Sequence, residues 1–315
     1  MSTIQTITGP YTHENLTVFL VHSSDRIDTS RYVTLAEALE QQKVIVHETG
    51  NVRELFIENL FTDKDVFIQA GEILRGGRQD RAIGVDLVVP AASKLPLPTF
   101  CVEMGRWHPR GAESAAAFSS TRHYLSSKAL KLAAKMKASQ HEVWDQVAET
   151  QAKLRRTLAA PVHAAESPSS LELTLDNEHL AKRRQQFVAA LAGIVEARPD
   201  TIGFVFAING QLNSAETYAS PELFRKLWTK LLESAVVEAL AEAGDEPAPV
   251  PLTEDAVRQF LAQADDARAH TRSITDRVSV HIKRTRQTIV FETEDKAQPQ
   301  ARLHKNYIND VTLDE

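Results

Sequence analysis

DVFIQAGEILRGGRQDRAIGVDLVVPAASKLPLPTFCVEMGRW, residues 65–107, is the stretch on which the reading of this chain turns. Apolar runs at 66–68, 83–89 and 99–102 lie between turn signals at Ala70-Gly71, Gly76-Gly77 and the prolines Pro90, Pro96 and Pro98. Short β-branched and aromatic runs bounded by Gly and Pro read as strands. Residues 83–89 are apolar apart from Asp86, which suits a strand buried on both faces. The three prolines are expected to hold a loop extended, since proline fixes its own φ and biases the residue before it away from helix.

Toward the N-terminus, residues 15–22 (NLTVFLVH), 44–47 and 55–57 are further strand candidates, with Gly50-Asn51 as a turn between the last two. Thr34 with Glu37 forms a capping box that starts a short helix. Toward the C-terminus, helical spacing dominates. Residues 122–137 carry Leu125, Ala129, Leu132, Ala133 and Met136 on one face and Lys128, Lys131 and Lys135 on the other. Ser139 with Glu142 starts a helix to about 158, and Asp176 is expected to cap one through Leu191 and Val195. Ser220-Pro221 pairs a cap with proline at the first helical position, and Thr253 opens a short helix. Residues 201–208, 277–284 and 288–293 read as strands, the first ending in the turn Asn209-Gly210. Residues 112–120 read as an irregular link, 159–172 as a mobile loop and 245–251 as a linker.

Strands and helices are interspersed without strict alternation. The expected fold is α+β, one domain over 1–315, with a largely antiparallel sheet covered on one face by several long helices, rather than a doubly wound parallel sheet.

Composition narrows the function classes. The chain has 315 residues, 43% hydrophobic and 25% charged, with a net charge of -6, the balance of a water-soluble globular protein. The acidic balance disfavours nucleic acid as a partner. No apolar run reaches the ~20 residues that span a bilayer, so no membrane partner is expected. One cysteine, Cys101, precludes an intrachain disulfide. With no secretory signal at the N-terminus, a cytoplasmic location is expected. The 11 histidines show no HExxH or paired spacing, and no GxxxxGK[ST], dinucleotide fingerprint or GxSxG is present. No cofactor is assigned, and oligomeric state is left open.

Two segments carry candidate chemistry. In Gly76-Gly77-Arg78-Gln79-Asp80-Arg81, the glycines permit close backbone approach. Arg78 and Arg81 offer planar donor forks suited to phosphate or carboxylate, Gln79 suits an amide or base edge, and Asp80 can partner either arginine. The same residues also suit a solvated hairpin tip. In Cys101-Val102-Glu103-Met104-Gly105-Arg106-Trp107, a carboxylate leaves an apolar strand beside an arginine and a stacking face. That suits either a general acid/base at Glu103 or a structural Glu–Arg pair. Cys101, inside an apolar strand, is expected to be inert.

Together these segments resemble the domain family named for its association with ADP-ribosylglycohydrolase and rhodanese-phosphatase proteins. The residues that carry the resemblance are Gly71, Glu72, Gly77, Gln79, Arg81, Cys101, Val102, Glu103, Arg106 and Trp107, with GFVFAINGQL and LFRKLWTKLLESAVVEA further on. The resemblance implies a link to prokaryotic conflict systems and to ADP-ribose or NAD-type metabolism. The expectation is an anionic, nucleotide-like ligand, bound and, in an enzyme, hydrolysed or transferred. Arg78, Gln79, Arg81, Arg106 and Trp107 would bind it and Glu103 would be the catalytic residue. The alternative is a non-catalytic binding or interaction module in which these charges are structural. Whether the protein is an enzyme is left open.

Overall fold

A computed structural model describes residues 6–24, 27–51, 53–109, 117–124, 127–137, 139–244, 252–298 and 302–309. The expected linker at 245–251 and most of the expected link at 112–120 lie outside them. The chain divides into two compact units, Met1–Thr29 with Phe187–Glu315, and Ser30–Gln186. One unit is discontinuous in sequence, and one boundary falls inside the helix Glu178–Leu191, where no linker composition marks it.

The first unit is built on an eight-stranded sheet. Its order is Thr6–His13, Leu16–His22, Thr201–Ile208, Gln211–Tyr218, Arg302–Asn309, Thr288–Asp295, Val278–Arg284 and Ala269–Ser273. Every pairing in it is antiparallel. Successive residues point to opposite faces of a strand, so Phe204 and Val205 serve different cores. Phe204 packs on Phe224 and Trp228 of the helix Pro221–Ala241, with ring centroids 6.5 and 5.4 Å away. Val205 belongs with Phe19, Ala215, Val290 and Tyr307 to a cluster closed by Val257, Phe260, Leu261 and Ala264 of the helix Glu254–Asp265. Each helix starts at its expected cap, Ser220 or Thr253. The two helices thus flank both faces of the sheet rather than covering one.

The second unit holds two smaller sheets. The six-stranded one runs Phe118–Tyr124, Glu72–Gly76, Arg81–Ile83, Ser93–Cys101, Glu54–Asn59, Val44–Asn51. The three-stranded one runs Tyr32–Thr34, Asp65–Ile68, Leu87–Val89 and contains the single parallel pairing among the described strands. The fold is therefore mixed α and β with large antiparallel sheets.

Three local expectations change here. The apolar run 83–89 is not one strand: Arg81–Ile83 and Leu87–Val89 belong to different sheets. Between them Asp86 turns inward, and its carboxylate accepts from the Ala70 amide at 2.8 Å. Pro96 and Pro98 lie within the strand Ser93–Cys101 rather than in a loop. In that part the strand pairs only with Glu54–Asn59, and its pairing with Arg81–Ile83 begins at Thr99, so the missing N–H groups cost no ladder bond on the second side. Residues 118–124 form a strand against Glu72–Gly76, which leaves Lys128–Leu132 and a π-helical turn where a longer helix was expected. In addition, Asp176 ends the short helix Leu171–Leu175, and the Asn177 side chain caps the next one.

Among the described residues no helix is long and apolar enough to cross a membrane. Phe224, fully buried among Phe204, Tyr218 and Trp228, is the centre of the larger aromatic core. Phe224→Ala is expected to cost about 3–5 kcal/mol, read as a lowered urea midpoint with an unchanged slope.

Candidate functional site

The two motif segments meet because their strands are neighbours. In the antiparallel pairing of Ser93–Cys101 with Arg81–Ile83, Cys101 stands opposite Arg81. One step further the Val102 amide donates to the Asp80 carbonyl at 3.2 Å. The turn before Asp80 depends on Gly76 and Gly77, both at positive φ, 124° and 57°. A Cβ on Gly77 would lie 2.3 Å from the Phe118 ring, so no other residue fits without displacing it.

All six expected site residues lie in one cluster of side chains. Gln79 donates from Nε2 to the Glu103 carbonyl at 3.0 Å and accepts at Oε1 from Arg81 Nη1 at 3.0 Å. Glu103 accepts at Oε2 from the Asp80 amide at 3.3 Å, and the same oxygen lies 2.7 Å from Arg106 Nη2. The N–H of Arg106 does not point along that line, so the contact is an ion pair rather than a formed hydrogen bond. Arg106 Nη2 is also 3.6 Å from Asp80 Oδ1, and its Nη1 donates to the His108 carbonyl. The guanidinium groups of Arg78 and Arg81 lie 5.4 and 5.5 Å from the Trp107 ring centroid, within cation–π range.

Burial separates these residues. Gln79, Arg81, Glu103 and Arg106 are buried, whereas Arg78 is exposed and Trp107 is 38% exposed beside Met104 at 57%. Arg81 is fully enclosed, and burial pulls its guanidinium below the usual value against the opposing pull of Cys101, Glu48 and Asp80. Its nearest ion-pair contact is Glu48 Oε1 at 3.9 Å, and its Nε and Nη2 have no hydrogen-bond acceptor among the described residues.

Cys101 is buried, and burial pushes its thiol up. It donates from Sγ to the Glu103 carbonyl at 2.7 Å. The Gln140 side chain docks on its backbone, accepting from its amide at 2.8 Å and donating to its carbonyl at 2.7 Å. Among the described residues no group of three or more His, Cys, Asp or Glu is placed to hold a metal ion.

Sequence reasoning missed a second set of polar groups bordering Asp80. Ser170 donates from Oγ to Asp80 Oδ2 at 3.4 Å. Glu172 lies 3.4 Å from Arg75 Nη1, and Asp176 lies 3.0 Å from His123 Nε2. Burial, with the nearby Asp80 and Asp176 carboxylates, pushes Glu172 up to about 8 against the pull of Arg75. These residues come from 123–176, about ninety positions from Asp80 for Ser170, and no local spacing links them to it. The only sequence signal is the serine-rich start of the helix at 170, a capping pattern rather than a site pattern.

Removing one partner of a buried ion pair leaves the other uncompensated. Arg106→Met strands Glu103 and Asp80 and is expected to destabilise by about 3–5 kcal/mol. Adding Glu103→Gln should recover part of that loss, measured by a double-mutant cycle in urea.

No curated protein and no solved structure matches the chain. A family model matches residues 5–306, nearly the full length, and includes both motif segments. The chain therefore belongs to the ARG and Rhodanese-Phosphatase-superfamily-associated Protein domain family.

Proposed function

We propose that the protein binds an anionic, nucleotide-like small molecule of the ADP-ribose or NAD type at the cluster built by GGRQDR and CVEMGRW. The observation that carries this reading is Arg81, a buried guanidinium with two donor nitrogens that no described group accepts from. A buried cation in that state is costly, and an anionic oxygen relieves it. Arg81 and Arg106 would take phosphate or carboxylate oxygens. Trp107, already flanked by two guanidinium groups and partly exposed, would stack a ring, with Arg78 and Gln79 beside it. Hydrolysis or transfer at that ligand is the reaction class to test, with Glu103 as candidate general acid/base. For that role the Arg106 pair must turn from Glu103 to the ligand.

A second reading has its own support. Gln79, Asp80, Arg81, Glu103 and Arg106 are all buried and bonded or ion-paired to one another, as in a non-catalytic interaction module of a conflict system whose charges lock two segments together.

Thermal unfolding with ADP-ribose, NAD and inorganic pyrophosphate, against uncharged adenosine, separates the two. The binding reading expects the anionic compounds to stabilise the protein, by about 2.7 kcal/mol at a hundredfold excess over Kd, and adenosine not to. It expects Arg81→Met to abolish the shift while the far-ultraviolet spectrum is kept. If no anion shifts the parent protein and Arg81→Met only lowers its melting temperature, the structural reading stands. A detected turnover left unchanged by Glu103→Gln would remove Glu103 from the chemistry.

A further inference from the structure

Arg81 is enclosed, so a ligand reaches it only if something covering the two motif segments moves. The segment at 161–172 is bonded to both of them. Ser169 donates from Oγ to the Met104 carbonyl at 2.6 Å, and the Leu171 amide donates to the Val102 carbonyl at 3.1 Å. Ser170 reaches the other motif at Asp80. Further ties are to its own unit, among them Gln151 Nε2 to the Pro168 carbonyl at 3.0 Å and to the Ser170 carbonyl at 3.4 Å, Asn177 Nδ2 to the Pro161 carbonyl at 3.2 Å, Arg75 to Glu172 at 3.4 Å, and a bridge of Ala164 with Ser167. Most of these are single hydrogen bonds, each worth on the order of 1 kcal/mol, and the apolar anchors within the segment are Val162 and Leu171. That composition suits local opening.

We propose that residues 161–172 form a strap that gates the Arg81–Arg106 cluster, latched where Ser170 bonds to Asp80 and where Glu172 and Asp176 crowd onto Arg75. The proposal rests on the ligand-binding reading above for its purpose, but not for its test. The charged groups facing Glu172 are Arg75 from the strand Glu72–Gly76, Asp80 from the glycine turn and Asp176 from the end of its own helix. His123 of the strand Phe118–Tyr124 faces Asp176, and Arg106 faces Asp80. From the helix Gln140–Leu158 the neighbour is the uncharged Gln151, bonded to Ser170 and Thr174. From the helix Glu178–Leu191, Arg184 donates to the Leu175 carbonyl. Burial and the neighbouring carboxylates favour the protonated form of Glu172, which adds no charge beside Asp80 and Asp176. Once the proton leaves, three carboxylates face Arg75 and Arg106, and the strap is pushed off.

The direction with pH follows from linkage. Closed, Glu172 keeps its proton up to about pH 8. Open and solvated, it loses the proton near the ordinary glutamate value of about 4.3. Between those limits the closed form binds one more proton. The opening equilibrium therefore rises by up to about tenfold per pH unit and levels off above the upper limit.

Cys101, the only cysteine, is buried one residue before the carbonyl that Leu171 holds, so its alkylation by iodoacetamide reports opening without any ligand. Glu172→Gln keeps a neutral side chain at every pH. The ratio of alkylation rates, parent to Glu172→Gln, cancels the thiol's own titration in the open form. It is expected to climb from pH 6 to about pH 8 and then flatten. Asp176→Asn removes one repelling carboxylate and should move the flattening to lower pH. Amide exchange over 168–176, referenced to the helix Pro221–Ala241, should show the same parent-specific slope, and it decides the matter if Glu172→Gln fails to fold. A rate ratio independent of pH overturns the latch, as does a thiol that stays unreactive at pH 9 or an Asp176→Asn profile identical to the parent's. Failure of pyrophosphate or ADP-ribose to bind would sink the ligand reading and leave these rates untouched.

Discussion

A guanidinium that water cannot reach must be satisfied by protein, and the centre of the second unit is arranged around that demand at Arg81. The effective penalty for enclosing such an ion is several kcal/mol. Gln79 answers one donor, Glu48 supplies a more distant charge and the Trp107 ring lies 5.5 Å away. Each answer requires a particular chain path. Gln79 can bridge Arg81 to the Glu103 carbonyl only if the turn before it is tight, which is what Gly76-Gly77 provides against Phe118. Trp107 reaches Arg81 only because Cys101 stands opposite it in the ladder and the chain bends immediately afterwards.

What could be read from the sequence was local, and what could not was set by pairing at a distance. The caps at Thr34, Ser139, Ser220 and Thr253 start helices where expected, because each satisfies amide groups within three residues of itself. The run 83–89 and the prolines were misjudged because their outcome depends on which strand lies alongside, and no local periodicity records that. The site divides the same way. Six polar residues from two short segments were recognisable and do gather, since neighbouring strands bring them together. Glu172, Asp176 and His123 were invisible, because they arrive from other elements and their chemistry arises only from proximity to Asp80 and Arg75.

The two units bury their polar groups differently. In the eight-stranded sheet they stand opposite one another across strands. Glu292 faces Lys305 directly and also meets Lys283, while Lys305 and Tyr307 both reach Asp265. Burial alone would raise Glu292, but Lys305, Lys283 and Arg302 together hold its carboxyl below the usual range. His304 is enclosed 2.6 Å from Glu216 and stacked on Tyr218. Such cross-strand pairs compensate one another in the ladder register itself. In the motif cluster only Arg81 stands in a ladder, and there it faces Cys101 and Leu74 rather than an opposite charge. Its other charges, Arg78, Asp80, Glu103 and Arg106, lie outside the strands, and Glu172 beside them is driven up rather than down.

That difference bears on the purpose of the arginines. Two segments that needed only to be fastened together would be fastened at least as well by apolar side chains, since replacing a buried ion pair with packed hydrophobic groups is often neutral or stabilising. A fastening role also requires the donors to be used, because an unanswered buried N–H subtracts from stability. Arg81 leaves Nε and Nη2 without acceptors, and Arg106 makes its closest carboxylate contact at an angle that forms no hydrogen bond. Beside them a tryptophan flanked by two guanidinium groups remains more than one-third exposed. Incompletely answered cations next to an accessible aromatic face make a poor clasp. They suit the ligand proposed above, a molecule that carries both negative charge and a ring.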